Sequence, residues 1–131
     1  MMMRSLLPGA LLLALLATGC SKEPGEGGKA EIRGVVHEQR YNSSSPVGEP
    51  YPKAEQRVYI VYGNGTYPDD DTRTGPNGEF RFPWLRKGQY RIYVISECST
   101  CPSGEEAVFK DVEISGRREV VNMGTLLIRN Y

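Results

Sequence analysis

From about residue 30 onward the apolar residues of this chain fall at every second position, in short runs. Arg57 to Tyr62 (RVYIVY) sets Val58, Ile60 and Tyr62 on one face and Arg57, Tyr59 and Val61 on the other. Glu79-Phe80-Arg81-Phe82 alternates cleanly, and Gln89 to Val94 turns Tyr90, Ile92 and Val94 one way and Gln89 and Arg91 the other. Ile32 to Val36, Val108 to Ile114 and Val120 to Ile128 continue the series. A period of two is that of a strand with one buried face. The β-branched and aromatic residues that dominate these runs pack well on a pleated surface. Gly63-Asn64-Gly65, Gly75-Pro76-Asn77-Gly78, Arg86-Lys87-Gly88 and Ser115-Gly116-Arg117 separate the runs as turns. Short strands at this spacing predict an all-β, antiparallel β-sandwich of about seven strands. Phe80, Phe82, Tyr90, Ile92 and Val94 are then expected on a common core face, with Arg81, Gln89 and Arg91 in water. Glu38 to Glu55, rich in Ser, Pro and Tyr, shows no such alternation and reads as a long loop.

The first twenty residues follow another pattern. Arg4 precedes an uncharged stretch from Leu6 to Ala17 (LLPGALLLALLA), and small residues Thr18-Gly19 lead to Cys20. Such a run is shorter than the roughly 20 residues of a spanning helix and has the flanks of an export signal. Leu16-Ala17-Thr18-Gly19-Cys20 resembles the bacterial lipobox, with Ala17 where Leu is commonest. The resemblance implies cleavage before Cys20 and lipidation of its thiol, so that residues 1–19 are a signal peptide and the membrane is reached through an N-terminal lipid anchor. Ser21 stands where lipoproteins retained at the inner membrane often carry Asp, so the outer membrane of a Gram-negative bacterium is the expected location. Residues 20–29, polar and Gly-rich, read as a flexible tether spanning about 17 Å. The β-sandwich domain is expected over 30–131.

Charge narrows the partners. Sixteen Lys and Arg balance sixteen Asp and Glu, and loss of the signal removes only Arg4 from that balance. Nucleic acid binding needs a basic excess or stripe, so no nucleic acid partner is expected. An envelope protein or a polysaccharide remains as a partner class. Of three cysteines, lipidation consumes Cys20 and leaves Cys98 and Cys101 as an even pair in an exported, oxidising setting, where a disulfide is the default.

Thr74, Asn77-Gly78, Phe80, Phe82, Leu85, Gly88, Tyr90, Ile92 and Val94 follow one another at the spacing of a known signature. The segment resembles the carboxypeptidase regulatory-like domain, a transthyretin-like (prealbumin-like) β-sandwich. Ile32-x-Gly34-x-Val36 and Val58-x-Ile60 extend the likeness over most of the domain. Gly75 departs from the Asp that usually follows the Thr, and Gln56 from the Ala that usually precedes the second strand. The resemblance implies a non-catalytic module of envelope proteins, since members mostly lack chemistry of their own.

Candidate chemistry is sparse. Cys98-Ser99-Thr100-Cys101 is a CxxC, the spacing of thiol oxidoreductases, but those place it at a helix N-terminus, and here it follows a strand in a Ser/Pro/Gly loop. A zinc site would need more thiols or histidines than the lone His37, which reads as a strand-edge residue, so no metal is expected. Asp69-Asp70-Asp71 lacks the alternating ligand spacing of a calcium loop and reads as a solvated loop tip. Asn122 has the side chain for an isopeptide bond, but the first strand offers no inward Lys. Tyr41, Tyr51 and Tyr67 are candidate ligand-binding aromatics. The expectation is a lipid-anchored envelope module with a structural or partner-binding role, no enzyme activity and no cofactor. A carbohydrate- or polymer-binding lipoprotein and a CxxC oxidoreductase are the alternatives.

Overall fold

The computed structural model describes residues 23–131. Eight strands make two sheets: β1 (Glu26–Asn42), β2 (Ser45–Pro52), β3 (Arg57–Tyr62), β4 (Asp70–Arg73), β5 (Glu79–Leu85), β6 (Gly88–Glu97), β7 (Glu105–Ile114) and β8 (Val120–Asn130). The protein is an all-β sandwich, one strand richer than the alternation predicts. The lipidation residue Cys20 and the signal peptide lie outside the described residues.

The first sheet is organised around β1. One edge of β1 pairs in parallel with β8 from Glu31 through Arg40. Its other edge is shared in succession by β5, opposite Glu26 to Val35, and β2, opposite His37 to Asn42, both antiparallel. The sheet is therefore mixed, where an antiparallel one was expected. The second sheet has the order β4-β3-β6-β7, antiparallel throughout.

Between the sheets lies the apolar set that the alternation marks. Ile32 and Val36 of β1 and Phe80, Phe82 and Leu85 of β5 face Val58 and Ile60 of β3 and Tyr90, Ile92 and Val94 of β6. All are buried, while Arg81, Gln89 and Arg91 are exposed, so the predicted register holds. Gly34 explains its place between Ile32 and Val36: a Cβ there would lie 2.5 Å from the tip of the Phe80 ring, so the missing side chain is the space that ring occupies.

The signature Thr74 is 2% exposed and joins three segments. Its hydroxyl donates to the Lys53 carbonyl at 2.6 Å and accepts from the Gln56 amide at 2.9 Å, while its own amide donates to the Gln56 carbonyl. Entry into β3 is thus fixed by Thr74 with Gln56 in place. Gly75 likewise closes its turn by backbone alone: its amide donates to the Glu79 carbonyl, and its carbonyl accepts from Gly78.

Several expectations change. Glu38 to Glu55 is no loop: β1 runs to Asn42 and returns as β2. Gln39, buried, holds the bulge in that hairpin by donating from its side-chain amide to the carbonyls of Val47 and Gly48. His37 sits in β1, flanked by Pro52 and Leu127, and so in the middle of its sheet and not at an edge. Asp70 and Asp71 belong to the edge strand β4, opposite Ile60 and Tyr59. Asp69 fastens the preceding loop, its carboxylate accepting from the Tyr62 amide at 2.7 Å. The 20–29 tether is shortened as well. Strand begins at Glu26, and Gly25 is buried, its amide donating to the Tyr90 hydroxyl at 2.8 Å and its carbonyl accepting from Arg86.

Candidate functional site

The three candidate tyrosines do not form one surface. Tyr41, at the far end of β1, stacks on Tyr131 with centroids 4.9 Å apart, and the Arg129 guanidinium lies 5.9 Å from its ring. The Tyr51 hydroxyl is a partner of the Glu38 carboxylate, which Lys53 also approaches at 3.6 Å, while Arg40 lies over the Tyr51 ring. The Tyr51 ring is engaged within the β1–β2 hairpin, and the Tyr41 ring against the end of β8 and the residue that follows it. Tyr67, 80% exposed, belongs to the β3–β4 loop. That loop starts at Gly63, beside Pro24 and the opening of β1, so Tyr67 lies toward the end of the sandwich opposite Tyr41.

A different aromatic row emerges on the outer face of the second sheet. Register places Tyr59 beside Tyr93, and Tyr93 beside Phe109, across β3, β6 and β7. The Tyr59 and Tyr93 rings stack at 4.9 Å and 18°. Phe109 is 53% exposed, with the Arg91 guanidinium 4.3 Å from its ring centre. Arg91 also makes a two-pronged contact with Asp111, at 2.8 and 3.2 Å, which holds the Asp111 carboxyl below its usual range. Sequence reasoning missed this row. The available signal was the phase of Tyr93, a large aromatic set opposite to Tyr90, Ile92 and Val94.

Cys98 and Cys101 form the expected disulfide, with Cα atoms 5.4 Å apart. Cys98 is 4% exposed and sits where β6 ends; its amide donates to the Gly104 carbonyl and its carbonyl accepts from Cys101. The loop is a series of turns, with no helix among the described residues to lower a thiol pKa. The Glu106 carboxylate lies 3.7 Å from the Cys101 sulfur, but with both sulfurs joined the three groups offer no pair of thiolates to a metal.

Tyrosines also organise the end at which the chain enters the fold. The Tyr90 hydroxyl accepts from Gly25 and donates to the Arg86 carbonyl at 2.6 Å, tying the entering segment to the β5–β6 turn. Burial raises its pKa. Tyr62 meets Tyr90 edge-on at 5.8 Å. Its hydroxyl is pushed up to about 12 by burial, with repulsion from Glu26, Asp70 and Asp69 added. A phenol whose folded pKa lies above its unfolded value stabilises the fold fully below about pH 10 and loses that contribution as pH rises through the folded pKa. The denaturation midpoint is therefore expected to fall between pH 10 and about pH 12, and less so in Tyr62→Phe. Chemical denaturation followed across that window checks this, and an identical fall in both proteins would contradict it.

No family model matches the chain, and neither does any curated protein. Among solved structures, a proposed carbohydrate-binding protein from Pseudomonas aeruginosa is similar at 17% identity and a TM-score of 0.47, over 87% of this chain and 94% of that one.

Proposed function

We propose that the protein is a non-catalytic, lipid-anchored module of the cell envelope, held by acyl chains on Cys20 and serving a structural or partner-binding role at the outer membrane. The observation that supports this most is the nearness of anchor and fold. Only Ser21, Lys22 and Glu23 separate Cys20 from Pro24, which packs on Gly88 at the base of the sandwich. Two or more acyl chains give stable attachment where one gives only reversible binding. The carboxypeptidase regulatory-like reading fits the same picture: the residues of its signature serve packing and turns, with Thr74, Gly78 and Phe80 each spent on structure. The disulfide is read as a loop staple, closing a small ring at the low end of the roughly 0–5 kcal/mol range.

A second reading, binding of a carbohydrate polymer, finds its support on the Tyr59–Tyr93–Phe109 face and no longer at Tyr41, Tyr51 and Tyr67. Exposed aromatic surface set among Arg and Asp side chains suits the apolar faces and hydroxyls of sugars.

Two assays on the same preparations address the two readings. Wild-type protein is expected in the membrane fraction with an acylated N-terminal Cys20, and Cys20→Ser in the soluble fraction without it. An unmodified Cys20 in the mature wild-type chain would sink the anchoring. Affinity electrophoresis of the same preparations through envelope polysaccharides tests the second reading: retardation lost in Phe109→Ala supports it, and unretarded wild type removes it.

A further inference from the structure

The end of the sandwich where the chain enters carries four cations that make no ion pair among the described residues. Lys29 lies in the irregular opening of β1, where Glu26 and Ala30 both face Leu85. Lys87 lies in the β5–β6 turn, and Arg117 and Arg118 in the β7–β8 turn. All four are exposed, and none makes an ion pair among the described residues. Lys29, Lys87 and Arg117 line one cleft. Arg86 lines it too, but its guanidinium is held, donating to the Glu26 carbonyl at 2.7 Å.

The acids at this end are largely directed elsewhere. The Glu119 carboxylate is turned into its own loop, accepting from the amides of Ser115 and Gly116 and from the Ser115 hydroxyl. Asp69, in the β3–β4 connection, and Asp70, at the start of β4, lie at the opposite edge of the second sheet from β7, and Asp69 is occupied by the Tyr62 amide. Exposed Glu23 and Glu26 offset two charges.

An aromatic stands beside the cations. Trp84, the chain's only tryptophan, precedes the β5–β6 turn by two residues, is 66% exposed and has a φ of 60°. A bulky residue rarely adopts that backbone conformation, and an indole with an apolar body and a polar N–H suits a membrane interface.

Covalent geometry then limits where this end can be. Four residue steps from Cys20 to Pro24 span at most about 14 Å, and the field of a charged surface decays over about 8–10 Å at ordinary ionic strength. We infer that this end of the sandwich docks on anionic phospholipid headgroups of the membrane that holds the anchor, with Lys29, Lys87, Arg117 and Arg118 against the phosphates and Trp84 in the interface. The inference rests on lipidation at Cys20. It adds an orientation: the sandwich stands with this end down, and the disulfide loop and the β1–β2 turn lie away from the lipid.

The test uses mature, lipidated protein reconstituted into phosphatidylcholine vesicles with or without phosphatidylglycerol. Trp84 reports alone, with no other tryptophan to obscure it. In anionic vesicles its emission is expected to shift to shorter wavelength and to be quenched by brominated acyl chains, and both effects should reverse at high salt. Each cation removed is expected to lower the docked-to-free ratio about fivefold. The variant Lys29→Glu/Lys87→Glu/Arg117→Glu/Arg118→Glu should stay on the vesicles through its anchor and lose the shift. Should that variant not fold, the salt titration of wild type makes the same discrimination. Identical Trp84 emission in both vesicle types, with the chain anchored, would overturn the docking. A chain that carries no acyl mass and separates from both vesicle types would overturn the anchoring, and the docking with it.

Discussion

Phe82→Ala is expected to lower the unfolding free energy by about 3–5 kcal/mol, a large share of the roughly 5–15 kcal/mol that holds a small domain together. Phe82 points inward from β5, is 4% exposed and meets Phe80 edge-on with centroids 6.1 Å apart. Its strand has β1 beside it in the same sheet and its ring faces the second sheet, so removal leaves a cavity between two hydrogen-bonded layers that cannot close without shifting whole strands. Arg81→Ala, one residue earlier and facing water, is the control and should stay within about 0.5 kcal/mol. Denaturant titration of both variants checks the pair. A loss below about 1 kcal/mol for Phe82→Ala would mean that the core does not depend on this ring.

Gly78→Ala is expected to cost about 2–5 kcal/mol. Two causes act together. Gly78 has a φ of 77°, where an L side chain is strained, and an added Cβ would lie 2.5 Å from the Val36 carbonyl oxygen. The opposing atom is backbone, so no rotamer change relieves the contact. The site matters because it is the junction where β5 and β2 meet end to end along β1: the Gly78 carbonyl accepts from the Val36 amide at 2.8 Å, and the same Val36 donates no further but accepts from Lys53 at 2.9 Å. Gly48→Ala provides the comparison. Gly48 has a φ of 70° with no atom within 4 Å of the added Cβ, so it bears the backbone strain alone, about 1–2 kcal/mol. Equal losses for the two variants in denaturant titration would show that the Val36 contact contributes nothing.

The strands with one buried face were legible in the sequence because burial imposes the two-residue period that reveals them; β3, β5 and β6 are the clear cases. β2 and β4 were not. Ser45–Pro52 (SPVGEPYP) is exposed or nearly so along its length and contains three prolines and a glycine, so nothing selects apolar residues at alternate places. It is a strand because β1 extends beyond the reach of β5 and presents unpaired backbone groups to it. Asp70–Arg73 (DDTR) likewise follows from the edge of β3, and its charges suit an edge that must remain in water. The disulfide was legible from the cysteine count and the compartment that the lipobox resemblance implies. The aromatic row was not, because neighbours across three strands depend on two registers that no single segment contains. The basic end was hidden for a similar reason: its four cations come from three turns or bulges, and the chain as a whole has no net charge.

The parallel pairing of β1 with β8 bears on the export proposed for this chain. Glu31 lies against Val120, so the first strand completes its sheet only when the last is present. A partly synthesised chain has no partner for that edge of β1, and pairings between such distant segments form slowly because a long loop must close first. A polypeptide that crosses a membrane as an extended thread has to postpone folding until it emerges. By making its opening strand wait for its closing one, this topology supplies from within the fold the delay that the proposed export requires.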